Sequence, residues 1–415
     1  MKVLYVTGSN LAKNTSANMS HNGYVQGLLE NDASLDIIMA GDSYGENDTK
    51  LKQWEGIRYF VYPSLSWVDK FRAKGRNVVK SDISKGDTVG AESKKNTLHT
   101  LKSQFRSLLK RLFFLIFKPD PVYPMDRTWL KNASKFQSSE TYDLIVSNSS
   151  PAASHRLVAE LLRKGRVKCN RWIQIWEDPW YHDLYGGHTD AEFAEELSLL
   201  QSAQEVFYVS PLTLHYQIKF FPDCADKMGF VPLPFLKFSE GVNKKSDIVS
   251  FGYFGDFYSV TRNLQPFYDA LVESGAKGNI YGDSDLNLKS TNNITISGRV
   301  TLDVLGKVQE ETTVLVHLCN LRGGQIPGKI YHYSATEKPI LFILDGTENE
   351  QKIIRDYFSQ FNRYCFCSNN KEDITSAIRK MTANIDDYVG HVVREFSPKF
   401  IVGNLLNNFC FEHVK

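Results

Sequence analysis

Two cationic residues follow strand-like runs, each at a place where a phosphate could be held. The stretch Q-I-P-G-K-I-Y-H-Y, Gln325 to Tyr333, sets Lys329 just after a Pro-Gly turn and ahead of a short helical run. The stretch F-G-Y-F-G-D-F-Y-S-V-T-R-N, Phe251 to Asn263, ends a strand in a glycine-rich turn and puts Arg262 before the helical L-Q-P-F-Y-D-A-L. Gly252 and Gly255 permit close backbone approach, the helix entrance offers free N–H groups, and a guanidinium fork grips phosphate oxygens. No G-x-x-x-x-G-K-[ST] loop occurs, so this is not a Walker site. Lys329 could equally be a solvated surface lysine, and it adds like charge to the positive end of its helix.

A third stretch, W-E-D-P-W-Y-H-D from Trp176 to Asp183, follows another strand-like run. Its carboxylates and His182 would lie at a strand's carboxyl end. Asp178 is the natural choice for a base or a substrate ligand there. Aspartate before proline is also a plain turn former. The D-x-D of Asp283 and Asp285 could suggest a metal pair, but a turn after a strand explains it better.

These residues need a scaffold, and the chain alternates strand-like and helical patterns throughout, which argues α/β with largely parallel sheets. KVLYVT at the start, with Gly8 after it and Gly23 in the first helix, opens one doubly wound domain over residues 1–236. A polar linker, Lys237 to Asp247, leads to a second over residues 248–390 that opens with IVSFGYFG, and residues 391–415 form a C-terminal helix expected to pack back on the first domain. Ligands of such sheets bind at the carboxyl ends of the strands, so two facing domains would hold a ligand between them.

The 415 residues suffice for two cores, and a net charge of +2 is too balanced for a dedicated nucleic-acid binder. The six cysteines show no C-x-x-C pair, and Cys365 and Cys367 share one face of a strand, as buried apolar residues would. A reducing, cytoplasmic setting is expected, with no signal peptide and no membrane-spanning run.

Residues 94–118 are different. Leu98, Leu101, Phe105, Leu108, Leu112 and Ile116 recur at helical spacing, while the stretch carries seven Lys or Arg and no acid. Such a helix could be an ordinary domain helix with a basic exterior. It could also lie on an anionic membrane through Arg106, Lys110, Arg111, Phe113 and Phe114, each basic residue adding roughly 1 kcal/mol.

Taken in order, these segments resemble the bacterial family 4 glycosyltransferases. The resemblance is carried by P-D-P at Pro119 to Pro121 with Trp129-Leu130, D-L-I-V-S-N-S-S-P at Asp143 to Pro151, and E-D-P-W at Glu177 to Trp180. It continues in G-D-F-Y-S-V-T-R-N at Gly255 to Asn263 and P-G-K-I-Y-H-Y at Pro327 to Tyr333. It implies a GT-B fold of two facing Rossmann-like domains with the donor cleft between them. It also implies sugar transfer from a nucleotide-sugar, usually with retention, onto an acceptor that is often lipid-linked, in surface polysaccharide biosynthesis. By the same resemblance Arg262 and Lys329 would neutralise the leaving diphosphate with no metal or other cofactor needed. Gly255, Tyr281, Arg299, Val300 and His332 would complete the donor side, and Gly8, Gly23, Asp178 and His182 the acceptor side. The enzyme would work peripherally on the inner face of the cytoplasmic membrane.

The chain departs from that pattern. Two glutamates common in the family fall on or near Gly324 and on His332, and Glu177 replaces an arginine. Two alternatives follow: a nucleotide-sugar epimerase or hydrolase on the same fold, or a catalytically silent partner protein.

Overall fold

The computed structural model describes residues 1–13, 15–41, 51, 54–65, 122–183, 188–236 and 248–407. The basic stretch 94–118 with its five proposed membrane contacts, the P-D-P segment, the linker 237–247 and Cys410 lie outside the described residues.

The first domain runs β1 (Lys2–Val6), α1 (Ser16–Glu30), β2 (Ser34–Ala40), β3 (Arg58–Tyr62), α2 (Arg127–Ala133), β4 (Thr141–Asn148) and α3 (Ala153–Arg163). It continues with β5 (Lys168–Trp176), α4 (Asp190–Ser202), β6 (Glu205–Tyr208), α5 (Pro211–Phe220) and β7 (Met228–Phe230). Among the described residues its strands form one parallel sheet in the order β3-β2-β1-β4-β5-β6-β7. The order reverses between β1 and β4, which opens a crevice at their carboxyl ends. Thr15 starts α1 by accepting a hydrogen bond from the Asn18 amide at 3.2 Å, satisfying one of the free donors of the first turn.

The second domain runs β8 (Ser250–Phe254), α6 (Gln265–Ser274), β9 (Lys277–Tyr281), β10 (Ile294–Ser297), α7 (Leu302–Glu311), β11 (Val314–Leu318) and α8 (Lys329–Tyr333). Then come β12 (Ile340–Leu344), α9 (Glu348–Ser359), β13 (Tyr364–Ser368) and α10 (Lys371–Ala383). Its parallel sheet has the order β10-β9-β8-β11-β12-β13, with the reversal between β8 and β11. Helices cover both faces, so the central strands are buried throughout and apolar except for His317: every residue of Val314–Leu318 and Ile340–Leu344 is buried. Cys367 is buried in β13 and Cys365 half-buried, paired in register with Ile343 and Leu341 of β12.

α11 (Pro398–Leu406) leaves the second domain and lies on α1 of the first. A side chain at Gly27 would come within 2.3 Å of the Pro398 carbonyl, and Asn31 Nδ2 donates to the Lys399 carbonyl at 3.0 Å. The carboxyl ends of the two sheets also meet directly. Tyr331 in α8 donates to the Val209 carbonyl at 3.0 Å, just beyond β6, and Thr213 Oγ1 donates to the Gly324 carbonyl at 2.8 Å. The segment from Gly324 to Tyr331 is therefore the seam between the domains. Among the described residues, no helix is long and apolar enough to cross a membrane.

Candidate functional site

Arg262 and Lys329 flank the reversal point of the second sheet, Arg262 following β8 and Lys329 following β11. The Leu321 amide donates to the Thr261 carbonyl at 2.7 Å and so ties the two loops together. Lys329 Nζ donates to the Phe254 carbonyl at the end of β8. Burial lowers its pKa to about 8, Asp256 opposes that shift, and Arg262 and Arg299 add to it. The ammonium is still largely protonated at neutral pH. Arg262 lies against Tyr253, and its Nε is buried without a hydrogen-bond partner. His317, buried in β11, is held neutral, its pKa lowered to about 3 by burial and by Arg262. An unsatisfied guanidinium nitrogen beside a part-desolvated ammonium makes a local demand for an anion.

Arg299 stands apart from that pair. It is 69% exposed and grips Asp256 through Nε to Oδ1 at 3.0 Å and through a second contact to Oδ2, with Asp283 at 3.4 Å. Asp256 is held below the usual carboxylate range, chiefly by Arg299. Asp285, the other half of the D-x-D, accepts from the backbone and hydroxyl of Ser259 at 2.8 and 2.7 Å. Both aspartates thus serve the turn after β9. Among the described residues no group of three His, Cys, Asp or Glu is placed to hold a metal ion.

Gly255 leaves ordinary space beside Lys329, while Gly282 makes the close approach between the loops. A side chain at Gly255 would meet only ordinary contacts, Lys329 Nζ at 3.7 Å being the nearest. At Gly282, after β9, a Cβ would lie 1.9 Å from the Gly255 carbonyl oxygen, and φ is +155°. Gly282 lets the two loops close over the end of β8, with the Gly255 amide donating to the Tyr281 carbonyl at 2.8 Å. Tyr281 is half-buried, its ring tilted beside Phe254 at 6.1 Å, and Val300 is half-buried in the loop before α7. α8 is only five residues long, so its helix dipole is small beside the charge of Lys329. His332 lies one turn along from Lys329; burial and that ammonium lower its pKa to about 4, so it is neutral.

The opposing wall is built at the end of β5. Asp178 Oδ1 accepts from Gln325 Nε2 at 2.6 Å, and the same nitrogen reaches Asp183 Oδ2 at 3.0 Å. Asp178 is open to solvent, yet the surrounding walls strip enough hydration to raise its pKa to about 6. Asp183 adds to that rise and Gln325 opposes it. Glu177 turns the other way: one of its carboxyl oxygens is buried without a partner, and burial, then Asp178, raises its pKa well above the ordinary value. Beneath it Tyr5 links His21 at 2.8 Å to Asn148 at 2.9 Å, a buried polar network at the ends of β1 and β4. His182 stacks on Phe220 with ring centroids 3.4 Å apart.

The two glycines expected on this side are used for packing. The Gly8 amide donates to Ser154 Oγ at 2.9 Å, and a Cβ there would meet Pro151 at 2.6 Å. Gly23 is buried inside α1, where a Cβ would meet Pro234 at 2.6 Å, so its smallness lets α1 and the Pro234 segment pack closely. Gln325 and Asp256 are not among the residues the sequence singles out for the site. A glutamine two places before a Pro-Gly turn gives only a faint signal, because its partners lie in the other domain.

No family model and no curated protein matches the chain. Solved structures do. The catalytic domain of starch synthase IV from Arabidopsis thaliana, bound to ADP and acarbose, superposes with a TM-score of 0.54 at 11% identity, covering 98% of this chain and 97% of that one. HepE from Anabaena in complex with UDP gives 0.51 at 12% identity over 98% and 95%, and a glycosyltransferase from Rickettsia africae gives 0.50 at 10% over 97% and 93%. At such identities the likeness concerns architecture. Two facing Rossmann-like domains, each parallel and each with its reversal point at the seam, make this a GT-B fold.

Proposed function

We propose that the chain is a glycosyltransferase that moves a sugar from a nucleoside-diphosphate donor to an acceptor hydroxyl in the cleft. One observation carries this reading. Arg262 and Lys329, distant in sequence, flank one sheet-reversal point, and the buried Nε of Arg262 has no partner. Solved structures of the same fold hold UDP, UDP-glucose or ADP.

In this reading the bond between the anomeric carbon and the donor's phosphate oxygen breaks, its electron pair leaving with the diphosphate. Arg262 and Lys329 offset the charge that develops there, an effect strongest where water is excluded. No metal is called for when two cations do this. The acceptor oxygen bonds the anomeric carbon with retention of configuration, and its proton passes to Asp178. Asp178, ionised above about pH 6, accepts a hydrogen bond from the acceptor hydroxyl. The finer assignment is a lipid-linked saccharide acceptor in surface polysaccharide biosynthesis, met at the inner face of the cytoplasmic membrane. It rests on the motif resemblance and on the basic amphipathic stretch 94–118.

The test is a thermal-shift panel of nucleoside diphosphates and their sugars, since a ligand that binds only the folded chain raises its midpoint. UDP or ADP should raise it, and Arg262→Ala or Lys329→Ala should reduce the rise. If no nucleotide moves the midpoint, the proposal fails. A second reading, an epimerase, hydrolase or silent partner, has in its favour that His332 and Gly324 occupy positions where the resemblance expects glutamates. Incubating donor with and without acceptor separates these, because only a transferase requires the acceptor.

A further inference from the structure

Beside Asp178 lies a small cavity of about 180 Å³, bordered by Pro179 and His182 after β5, by one face of α5, and by Gly323 of the second domain. Its character comes from α5. Phe220, 36% exposed, is stacked by the His182 ring at 3.4 Å and 17°, and Tyr216 one turn earlier lies nearly parallel to it, at 14° and 6.2 Å. The second domain fixes Tyr216 in place: its hydroxyl donates to Glu350 Oε1 at 3.0 Å. Gly324 packs on the Tyr216 ring with φ +74°, where a Cβ would lie 2.9 Å from the ring. Only a glycine fits there. Gln217 also borders the cavity. It is 1% exposed, its Nε2 donates to Glu196 at 3.2 Å, and its buried Oε1 has no donor.

We propose that this cavity is a saccharide subsite, in which one pyranose ring of the acceptor lies on the aromatic shelf of Phe220, His182 and Tyr216 and gives a hydroxyl hydrogen bond to Gln217. The assignment rests on the transferase reading above and names the chemistry of its acceptor side. A pyranose presents an apolar face of C–H groups rimmed by hydroxyls, matching flat rings next to an unsatisfied acceptor. The cavity has room for one ring rather than a drug-sized ligand. A prenyl chain would leave the Gln217 oxygen unpaired at a desolvation cost, and so fits less well. The shelf adjoins Asp178 through Pro179, which sets a sugar bound there next to the proposed acceptor-binding carboxylate.

Saturation-transfer NMR on the full chain tests this, with methyl glycosides of glucose, galactose and N-acetylglucosamine at millimolar concentration and uridine as a competitor. Ring C–H protons of at least one glycoside should receive saturation. Phe220→Leu, which keeps apolar bulk without the ring face, should weaken binding about tenfold, while Phe220→Trp retains it. Saturation of no glycoside, or equal saturation in Phe220→Leu, overturns the proposal. Competition by uridine assigns the shelf to a nucleobase and also overturns it. The UDP thermal shift is recorded on the same samples. Absence of that shift with glycoside binding intact defeats the donor reading alone, and a normal shift in Phe220→Leu shows that the variant is folded.

Discussion

The side-chain amide nitrogen of Gln325 donates to Asp178 at 2.6 Å, so a residue of the second domain holds the carboxylate that lines the first. The same nitrogen reaches Asp183, and two like charges are kept together by one donor. This contact couples the domain seam to the wall at the end of β5.

Replacing Gln325 with leucine removes a hydrogen bond that favours the ionised form of Asp178, leaving desolvation by the surrounding walls and Asp183 unopposed. The pKa of Asp178 then rises from about 6. A rate that needs the carboxylate falls on the acid side, so the acid limb of kcat/KM should move to higher pH in Gln325→Leu. The pH–rate profile measures this, and an unmoved limb would show that another group titrates there.

In its proposed role Lys329 holds a diphosphate only while protonated, and its pKa is lowered to about 8. UDP affinity should therefore hold below that pH and fall above it as the ammonium loses its proton. Lys329→Ala should weaken UDP about 10- to 100-fold at neutral pH, the range for a charge-assisted hydrogen bond. Lys329→Arg stays charged and should lose the alkaline fall. Calorimetric titration across pH distinguishes the three.

How much of this could be read in advance depended on whether a residue's partner follows from its own neighbourhood. Apolar runs such as Ile340–Leu344, bounded by turns, announce buried parallel strands, and the cations after β8 and β11 follow from that rhythm alone. Gln325, Asp256 and Gly282 do not. The role of each depends on a loop or domain brought close by folding, and no local spacing encodes a carbonyl that would lie 1.9 Å from a missing Cβ. Gly23 likewise has a packing role that its place in the sequence does not announce, since a Cβ there would meet Pro234 at 2.6 Å.

Glu177 offers a stability test independent of any ligand. Its pKa is raised by burial, so between the ordinary value of 4.5 and its folded value the folded chain holds a proton that the unfolded chain has lost. Stability therefore falls as pH rises through that window, with a limiting slope of about 1.4 kcal/mol per pH unit. Glu177→Gln removes the titration while keeping the shape. Its stability relative to the parent should grow as pH rises above the ordinary glutamate value, in denaturant melts. Parallel curves would mean that the carboxyl finds a partner in solution.

His332 is the residue whose replacement reports on the donor side most directly. It is neutral, and it lies close enough to Lys329 for that ammonium to lower its pKa. A glutamate there would put an opposite charge one turn from Lys329, where i and i+3 side chains meet, and would raise the lysine pKa above about 8. The alkaline fall in UDP affinity should then move to higher pH in His332→Glu. At neutral pH the added negative charge should make UDP bind more weakly, because it repels the diphosphate. The same titrations used for Lys329 read both effects, and the donor panel shows whether sugar preference changes as well. If neither the alkaline midpoint nor the preference moves, His332 does not face the donor, and its neutrality reflects packing alone.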